Sequence, residues 1–448
     1  MINFNLNALF KETPAAQKIT NPKLIDKTYR YWRIRTMYAM YIGYASFYLT
    51  RKSFTFVIPQ MIQDLHFTKA QIGILGSVFY ITYGISKFIS GMLSDKSNPR
   101  YFMAVGLILT GIANIFFGFS SSLLCLTLFW LINALFQGWG WPPCARLLTH
   151  WYSQSERGIW WGIWNTSHNL GGALIPIIVA SSVLFFADWR AAMFVPGAIT
   201  IITGFFLLNR LRGIPESQGL PTIEEYRNDH VEKTSKKELN LPIIKIFFNY
   251  VFKNKYIWLL ASSYVLVYIV RTAVNDWGAV YLTEHGYTLM KANSCMSFFE
   301  IGGFIGSLVA GWCSDKIFCG MRGQTNVLFS LGVVFLLVFF WLIPGNHFLL
   351  HSSLMFGIGF FIFGPQMLVG MAPAELTHRE AAGTSTGFVG LFGYIGAAIS
   401  GYPVGLIIQN FSWFGFFVVI GACAVLSILL LLPLWSASGY KHLLPETA

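Results

Sequence analysis

One pattern of three residues occurs twice, and its spacing fixes most of what this chain can fold into. Tyr44, Tyr48 and Arg51 stand at i, i+4 and i+7, on one face of a helix. Tyr264, Tyr268 and Arg271 repeat them 220 positions later. The offset persists downstream: Gly91-x-x-Ser94-Asp95-Lys96 returns as Gly311-x-x-Ser314-Asp315-Lys316. The chain therefore reads as two copies of one unit, each carrying one arginine at a matching depth.

That depth lies inside hydrocarbon-length segments. Only 11% of the 448 residues are charged and 55% are hydrophobic, with a mean hydropathy of +0.56. A water-soluble domain carries about 25% charged residues. Twelve apolar runs are long enough to cross a ~30 Å hydrocarbon core: 34–58, 70–94, 101–120, 122–148, 159–186, 191–211, 256–283, 290–313, 325–344, 348–374, 384–409 and 413–436. The expected fold is an all-α membrane protein of twelve transmembrane helices in two pseudo-symmetric six-helix bundles. An arginine near the centre of such a segment costs about 2.5 to 3.5 kcal/mol, so each needs a reason.

The net charge of +12 does not point to nucleic acid, because the basic residues alternate between loops. One side of the expected membrane takes Lys11 to Arg35, then Lys96 and Arg100, Arg146 and Arg157, and a connector running from Arg210 to Lys255. Ser120-Ser121-Ser122 and Asn410-Phe411-Ser412, on the other side, carry no charge. The positive-inside rule then makes both termini cytoplasmic. The expected divisions are a polar cytoplasmic segment 1–33 without a cleavable signal, a bundle 34–211, a cytoplasmic linker 212–255, a bundle 256–436 and a tail 437–448. Six cysteines lie in or beside apolar runs without metal-ligand spacing, which predicts buried, reduced thiols. No phosphate-cradling glycine loop, acidic metal cluster or nucleophile–base pair stands out, so neither a cofactor nor an enzyme is expected.

Parallel six-helix repeats place a binding site near the midplane at the repeat axis, which predicts Arg51 and Arg271 on that axis. Two guanidiniums offer forked donors that suit a phosphoryl dianion. Lys87, four residues after Tyr83, has Ser307 at its repeat position. It either snorkels to the interface or serves the site asymmetrically. His168 sits in the polar run Asn165-Thr166-Ser167-His168-Asn169 inside a span, which favours a cavity over simple packing. Asp276 and Glu300 read either as counter-charges for Arg271 or as gating groups. Asp95 and Asp315 read as latches at span ends, not as ligands.

These motifs also carry a resemblance. Gly91-Met-Leu-Ser-Asp95-Lys96-Ser-Asn-Pro-Arg100 resembles the loop motif of the major facilitator superfamily. Gly43-Tyr44 to Arg51-Lys52, Tyr83-Gly84-Ile85-Ser86-Lys87-Phe88, Gly138-Trp-Gly-Trp-Pro-Pro-Cys144, Trp164-Asn165 to Gly171-Gly172, and Arg271 to Asp276-Trp277 look like the organophosphate:phosphate antiporters. Nearly the whole chain is covered. Phe299-Glu300 to Gly306 and Gly383 to Tyr394 are most similar to the hexose-phosphate transporter and sensor branch. The branch's transporter carries an acid and a lysine in span eleven, where this chain has only neutral residues from Gly383 to Ile408. The resemblance implies exchange of a sugar phosphate for inorganic phosphate across a cell inner membrane by alternating access. Arg51 and Arg271 would hold the phosphate. Lys87, His168, Tyr44, Tyr48, Tyr83 and Tyr268 would line or tune the site. A sensor that binds the same ligand and signals to a membrane partner is the alternative.

Overall fold

The computed structural model describes residues 13–94, 97–228, 245, 247–343, 347–377 and 381–435. They fold into helices without a strand: α1 (Pro22–Leu65), α2 (Lys69–Ser94), α3 (Pro99–Phe119), α4 (Leu123–Gln137), α5 (Trp141–Trp151), α6 (Gln154–Asn165), α7 (Ser167–Phe186), α8 (Ala191–Arg210), α9 (Ile223–Arg227), α10 (Lys255–Glu284), α11 (Leu289–Trp312), α12 (Arg322–Leu342), α13 (Phe348–Glu375), α14 (Ala382–Ile399) and α15 (Tyr402–Leu431). The repeat is visible in helix starts: α2 opens at Lys69 and α11 at Leu289, again 220 apart. Large apolar side chains stand exposed on the helix faces, Phe88 at 72%, Leu184 at 76% and Leu349 at 80%. Such surfaces suit lipid.

Length and hydropathy alone pick out ten membrane-crossing stretches among the described residues. Two facts carry that to twelve. α1 holds Arg51, Lys52 and a charged N-terminal third, so its hydropathy falls short although its middle is buried. The stretch Ala382–Leu434 contains two spans. Its chain breaks between α14 and α15 and again at Ser412, where φ is +58°. The runs 122–148 and 159–186 are each two helices, divided at Gly138–Gly140 and at Thr166.

The contacts divide the chain into two compact units, residues 1–54 with 82–236 and residues 55–81 with 237–448. Within the first unit, α3 and α8 meet at glycines. A Cβ on Gly111 would lie 2.7 Å from the Gly197 carbonyl oxygen, so the backbones touch as small residues allow in lipid. A buried amide network joins four helices. Asn133 Nδ2 donates to the carbonyls of Thr50 and Thr110, each at 3.4 Å, and to Asn114 Oδ1 at 3.3 Å, while Asn114 Nδ2 donates to the Met193 carbonyl at 2.8 Å.

α1 begins twelve residues before the expected span. Its extension packs on the first part of the 212–255 connector, so that part is docked structure and not a free linker. Tyr29 is fully buried, stacks on Tyr226 at 4.0 Å and donates to the Pro221 carbonyl at 2.5 Å. Ala16 and Ile19 donate from their backbones to Glu216 and Gly219. Gly219 has φ +72°, and a Cβ there would lie 2.3 Å from the Gln17 carbonyl oxygen, so both the turn and the contact require glycine.

In the second unit, α11 and α13 make the closest approach, with Gly306 against the Phe360 carbonyl and Gly359 against that of Phe299. The unit also includes the end of α1 and the start of α2. There Asn293 donates to the Phe56 carbonyl at 3.1 Å, and Ser77 donates to that of Ala398 at 2.6 Å. Lys69 pairs with Glu284 at 2.8 Å. All six cysteines are free, but only Cys144 and Cys295 are buried. Cys125 and Cys319 are exposed, which corrects the expectation that all six are interior. Apolar runs have an outward face as well as an inward one.

Candidate binding site

In the first unit the predicted residues converge. α1 has Tyr44, Tyr48 and Arg51 on one face, and Tyr44 is 5% exposed. The Arg51 guanidinium carbon lies 4.4 Å from the ring centroid of Tyr48 and 4.4 Å from that of Tyr83 on α2. Flanking rings stabilise a cation by about 0.5–2 kcal/mol where water is excluded. Arg51 Nε donates to Gln137 Oε1 at 3.2 Å. Gln137 cannot turn that oxygen away. Its amide nitrogen donates to the Phe47 carbonyl at 3.1 Å, Thr50 Oγ1 at 3.0 Å and Asn133 Oδ1 at 3.2 Å.

Gln137 was not singled out in the sequence. It stands immediately before the Gly138-Trp139-Gly140 break, which reads only as an interruption. The break has a packing cause: a Cβ on Gly138 would lie 2.3 Å from Ser86 Oγ. α2 therefore crosses α4 at closest approach, and Ser90 Oγ donates to the Gly138 carbonyl at 2.6 Å. That crossing puts Tyr83 and Lys87 beside the start of α5. Lys87 Nζ lies 5.5 Å from the Trp141 ring centroid and is half-buried.

The α6–α7 break brings in His168. Its Nδ1 hydrogen-bonds the Asn165 carbonyl. A carbonyl only accepts, so the proton sits on Nδ1 and Nε2 is turned outward from that bond. The His168 ring centroid is 5.6 Å from that of Tyr48. The approach is close because a Cβ on Gly171 would lie 2.4 Å from the Ala45 carbonyl oxygen of α1. Trp164 completes the wall, 4.8 Å from Tyr44 and 5.9 Å from Trp161, and Trp161 is 5.9 Å from Trp141.

The second unit repeats the face with different neighbours. On α10, Tyr264 lies 4.7 Å from Tyr268, and Tyr268 is 6.1 Å from Tyr394. The Arg271 guanidinium lies 4.7 Å from the Phe363 ring and 5.9 Å from Tyr268. Glycines make room for the tyrosines: a Cβ on Gly370 would lie 2.8 Å from Tyr264 Oη, and one on Gly393 3.0 Å from the same ring.

Among the acids, Asp276 accepts from Tyr80 Oη at 2.8 Å and from Thr55 Oγ1 at 3.4 Å. Glu300, 1% exposed, accepts from Asn275 Nδ2 at 3.3 Å. Asp315 pairs with Arg322 at 2.5 Å, and Arg322 also pairs with Glu375 of α13 at 3.0 Å. That arrangement ties α12 to α13 at the end where the repeated motif lies. Asp95 and Lys96 lie outside the described residues.

The Major Facilitator Superfamily pattern matches residues 40–401. The "Probable hexose phosphate transport protein" of Chlamydia muridarum (strain MoPn / Nigg) is 53% identical over 445 residues, covering 96% of this chain and 97% of the relative. The "Membrane sensor protein UhpC" of Escherichia coli (strain K12) is 51% identical over 431 residues, with 96% and 98% covered. A solved bacterial homolog of the human lysosomal transporter Spinster, in an inward-facing and occupied conformation, superposes with a TM-score of 0.69 at 15% identity. It covers 90% of this chain and 96% of its own. The likeness to the solved structure concerns the fold alone.

Proposed function

This chain belongs to the major facilitator superfamily and, within it, to the organophosphate:phosphate antiporter branch, and from that premise we propose that it takes up a sugar phosphate in exchange for inorganic phosphate. Glucose 6-phosphate is the leading substrate. The bilayer is a cell inner membrane, with both termini cytoplasmic. One phosphate dianion takes a guanidinium from each repeat, Arg51 and Arg271. Lys87, His168, Tyr44, Tyr48, Tyr83 and Tyr268 orient the ligand. Asp276 and Glu300 act as counter-charges or gates, and Asp95 and Asp315 as latches.

The observation that carries this reading is the setting of Arg51. Two rings at 4.4 Å and one buried amide fix its guanidinium while Lys87 and His168 stand on the same wall. A rigid cationic group beside further donors favours a dianion over a neutral sugar or a monoanion. The free energy of exchange then comes from the phosphate gradient, and a ligand drives the cycle only by its differential affinity for the two end states.

The test uses purified protein in liposomes loaded with phosphate. Labelled glucose 6-phosphate should accumulate, and accumulation should vanish when internal phosphate is omitted. A second reading, a hexose-phosphate sensor that signals to a membrane partner, is favoured by the 51% identity to a protein named as a sensor. Tight binding without exchange above empty liposomes would establish that reading and refute transport.

A further inference from the structure

At one end of the first unit, three arginines gather around the last turn of α8. Arg35 of α1 donates through Nη2 to the Asn209 carbonyl at 3.1 Å and to Asn209 Oδ1 at 3.0 Å. Arg212 donates through Nη1 to the same carbonyl at 3.0 Å and to that of Leu211 at 2.7 Å. Arg100 of α3 donates through Nε to the Leu208 carbonyl at 2.6 Å. The guanidiniums of Arg35 and Arg212 also share one ring, lying 4.8 and 4.9 Å from Trp32. Arg212 is held below the ordinary arginine pKa, first by burial and then by the charges of Arg100 and Arg35.

Capping the helix C-terminus accounts for part of this, because the macrodipole favours cations there. It does not account for the excess. The helix end carries about half a unit of negative charge, and three full positive charges surround it. Among the described residues, no carboxylate lies within salt-bridge distance of Arg35, Arg100 or Arg212. Both terminal nitrogens of Arg100, and Nε and Nη2 of Arg212, have no protein acceptor among those residues. The cluster is short of an anion.

What adjoins it is apolar. Tyr31 and Ile34 on α1 are 52% and 58% exposed, and Phe205 on α8 is 59% exposed. Tyr38 and Phe206 join the two helices at 6.3 Å between ring centroids. A free anion would use the guanidiniums but not this surface. A phospholipid would use both, with its phosphate on the cations and an acyl chain along the α1–α8 face.

We propose that Arg35, Arg100 and Arg212 form a binding site for the headgroup phosphate of an anionic phospholipid. The site rests on the membrane-spanning fold and not on the exchange reading, and it is independent of Arg51 and Arg271. Native mass spectrometry on the full chain, released from micelles holding equal phosphatidylglycerol and phosphatidylcholine, tests it. Wild type should retain phosphatidylglycerol preferentially. R35Q/R212Q should retain it about thirtyfold more weakly, since each basic residue near an anionic lipid surface contributes about fivefold.

The same preference in a double variant that melts like wild type would overturn the proposal. So would retention of inorganic phosphate that falls in the variant while phosphatidylglycerol is unaffected, which would assign the cluster to a free anion. If the variant cannot be purified, wild type alone decides, because equal retention of the two lipids refutes the site.

Discussion

Replacing Arg51 with lysine separates charge from geometry. The Arg51 guanidinium lies between two rings, and its Nε is committed to Gln137 at 3.2 Å. In the proposed complex the two terminal nitrogens act as a fork. Arg51→Lys keeps the positive charge and some ring contact, but it loses the Gln137 bond and one of the two prongs. Losing the Gln137 bond affects the free and the bound protein alike, so to first order it cancels from affinity and appears in stability. The lost prong does not cancel. One hydrogen bond between charged partners is worth about 1.5–3 kcal/mol, so the dissociation constant for inorganic phosphate should rise roughly 10- to 150-fold. Titration calorimetry on purified protein reads this directly, and a melting curve without ligand reads the stability part. An affinity within threefold of wild type, in a variant that still folds, would refute the reasoning: Arg51 would then be a helix clamp and not a phosphate ligand.

Other outcomes follow from the same geometry. His168→Ala should lower exchange without lowering the amount of protein in the membrane, and Lys87→Ala should weaken glucose 6-phosphate more than inorganic phosphate, because Lys87 has no basic counterpart at Ser307. Equal losses for both ligands, measured by competition, would reduce Lys87 to a general source of positive potential. In the second unit, Gly73→Val should destabilise by about 1–3 kcal/mol, since even its Cβ would lie 2.6 Å from the Gly401 carbonyl oxygen, a backbone atom that cannot swing aside. An unchanged melting temperature would show that α2 does not pack there.

The features readable in advance were those written along a single helix. Tyr44, Tyr48 and Arg51 share a face by periodicity alone, and their recurrence 220 residues later needs no tertiary knowledge. What escaped depends on how helices cross. Gln137 matters because Phe47, Thr50 and Asn133 hold its amide, and no local pattern announces three partners from two helices. The break at Thr166 likewise has no proline to mark it, although the polar run around His168 hinted at a cavity. The segment before residue 34 and the start of the connector look polar and unattached when each is read alone. Their burial becomes apparent only when Tyr29 meets Tyr226. Exposed Cys125 shows the converse, because an apolar run does not say which way a given side chain points.

The clasp between the start of α1 and the connector also has a consequence in time. Tyr29 and Pro221 are 192 residues apart. At translation rates of about 5–20 residues per second, Tyr29 waits roughly 10 to 40 seconds for its acceptor to be synthesised. By then the ribosome has already passed all six spans of the first repeat. The stacking of Tyr29 on Tyr226 is therefore a late event in the birth of that half, and its arrival certifies that the preceding spans are present. Both sides of the clasp precede residue 229, so a nascent chain can fasten its first half before α10 has entered the bilayer.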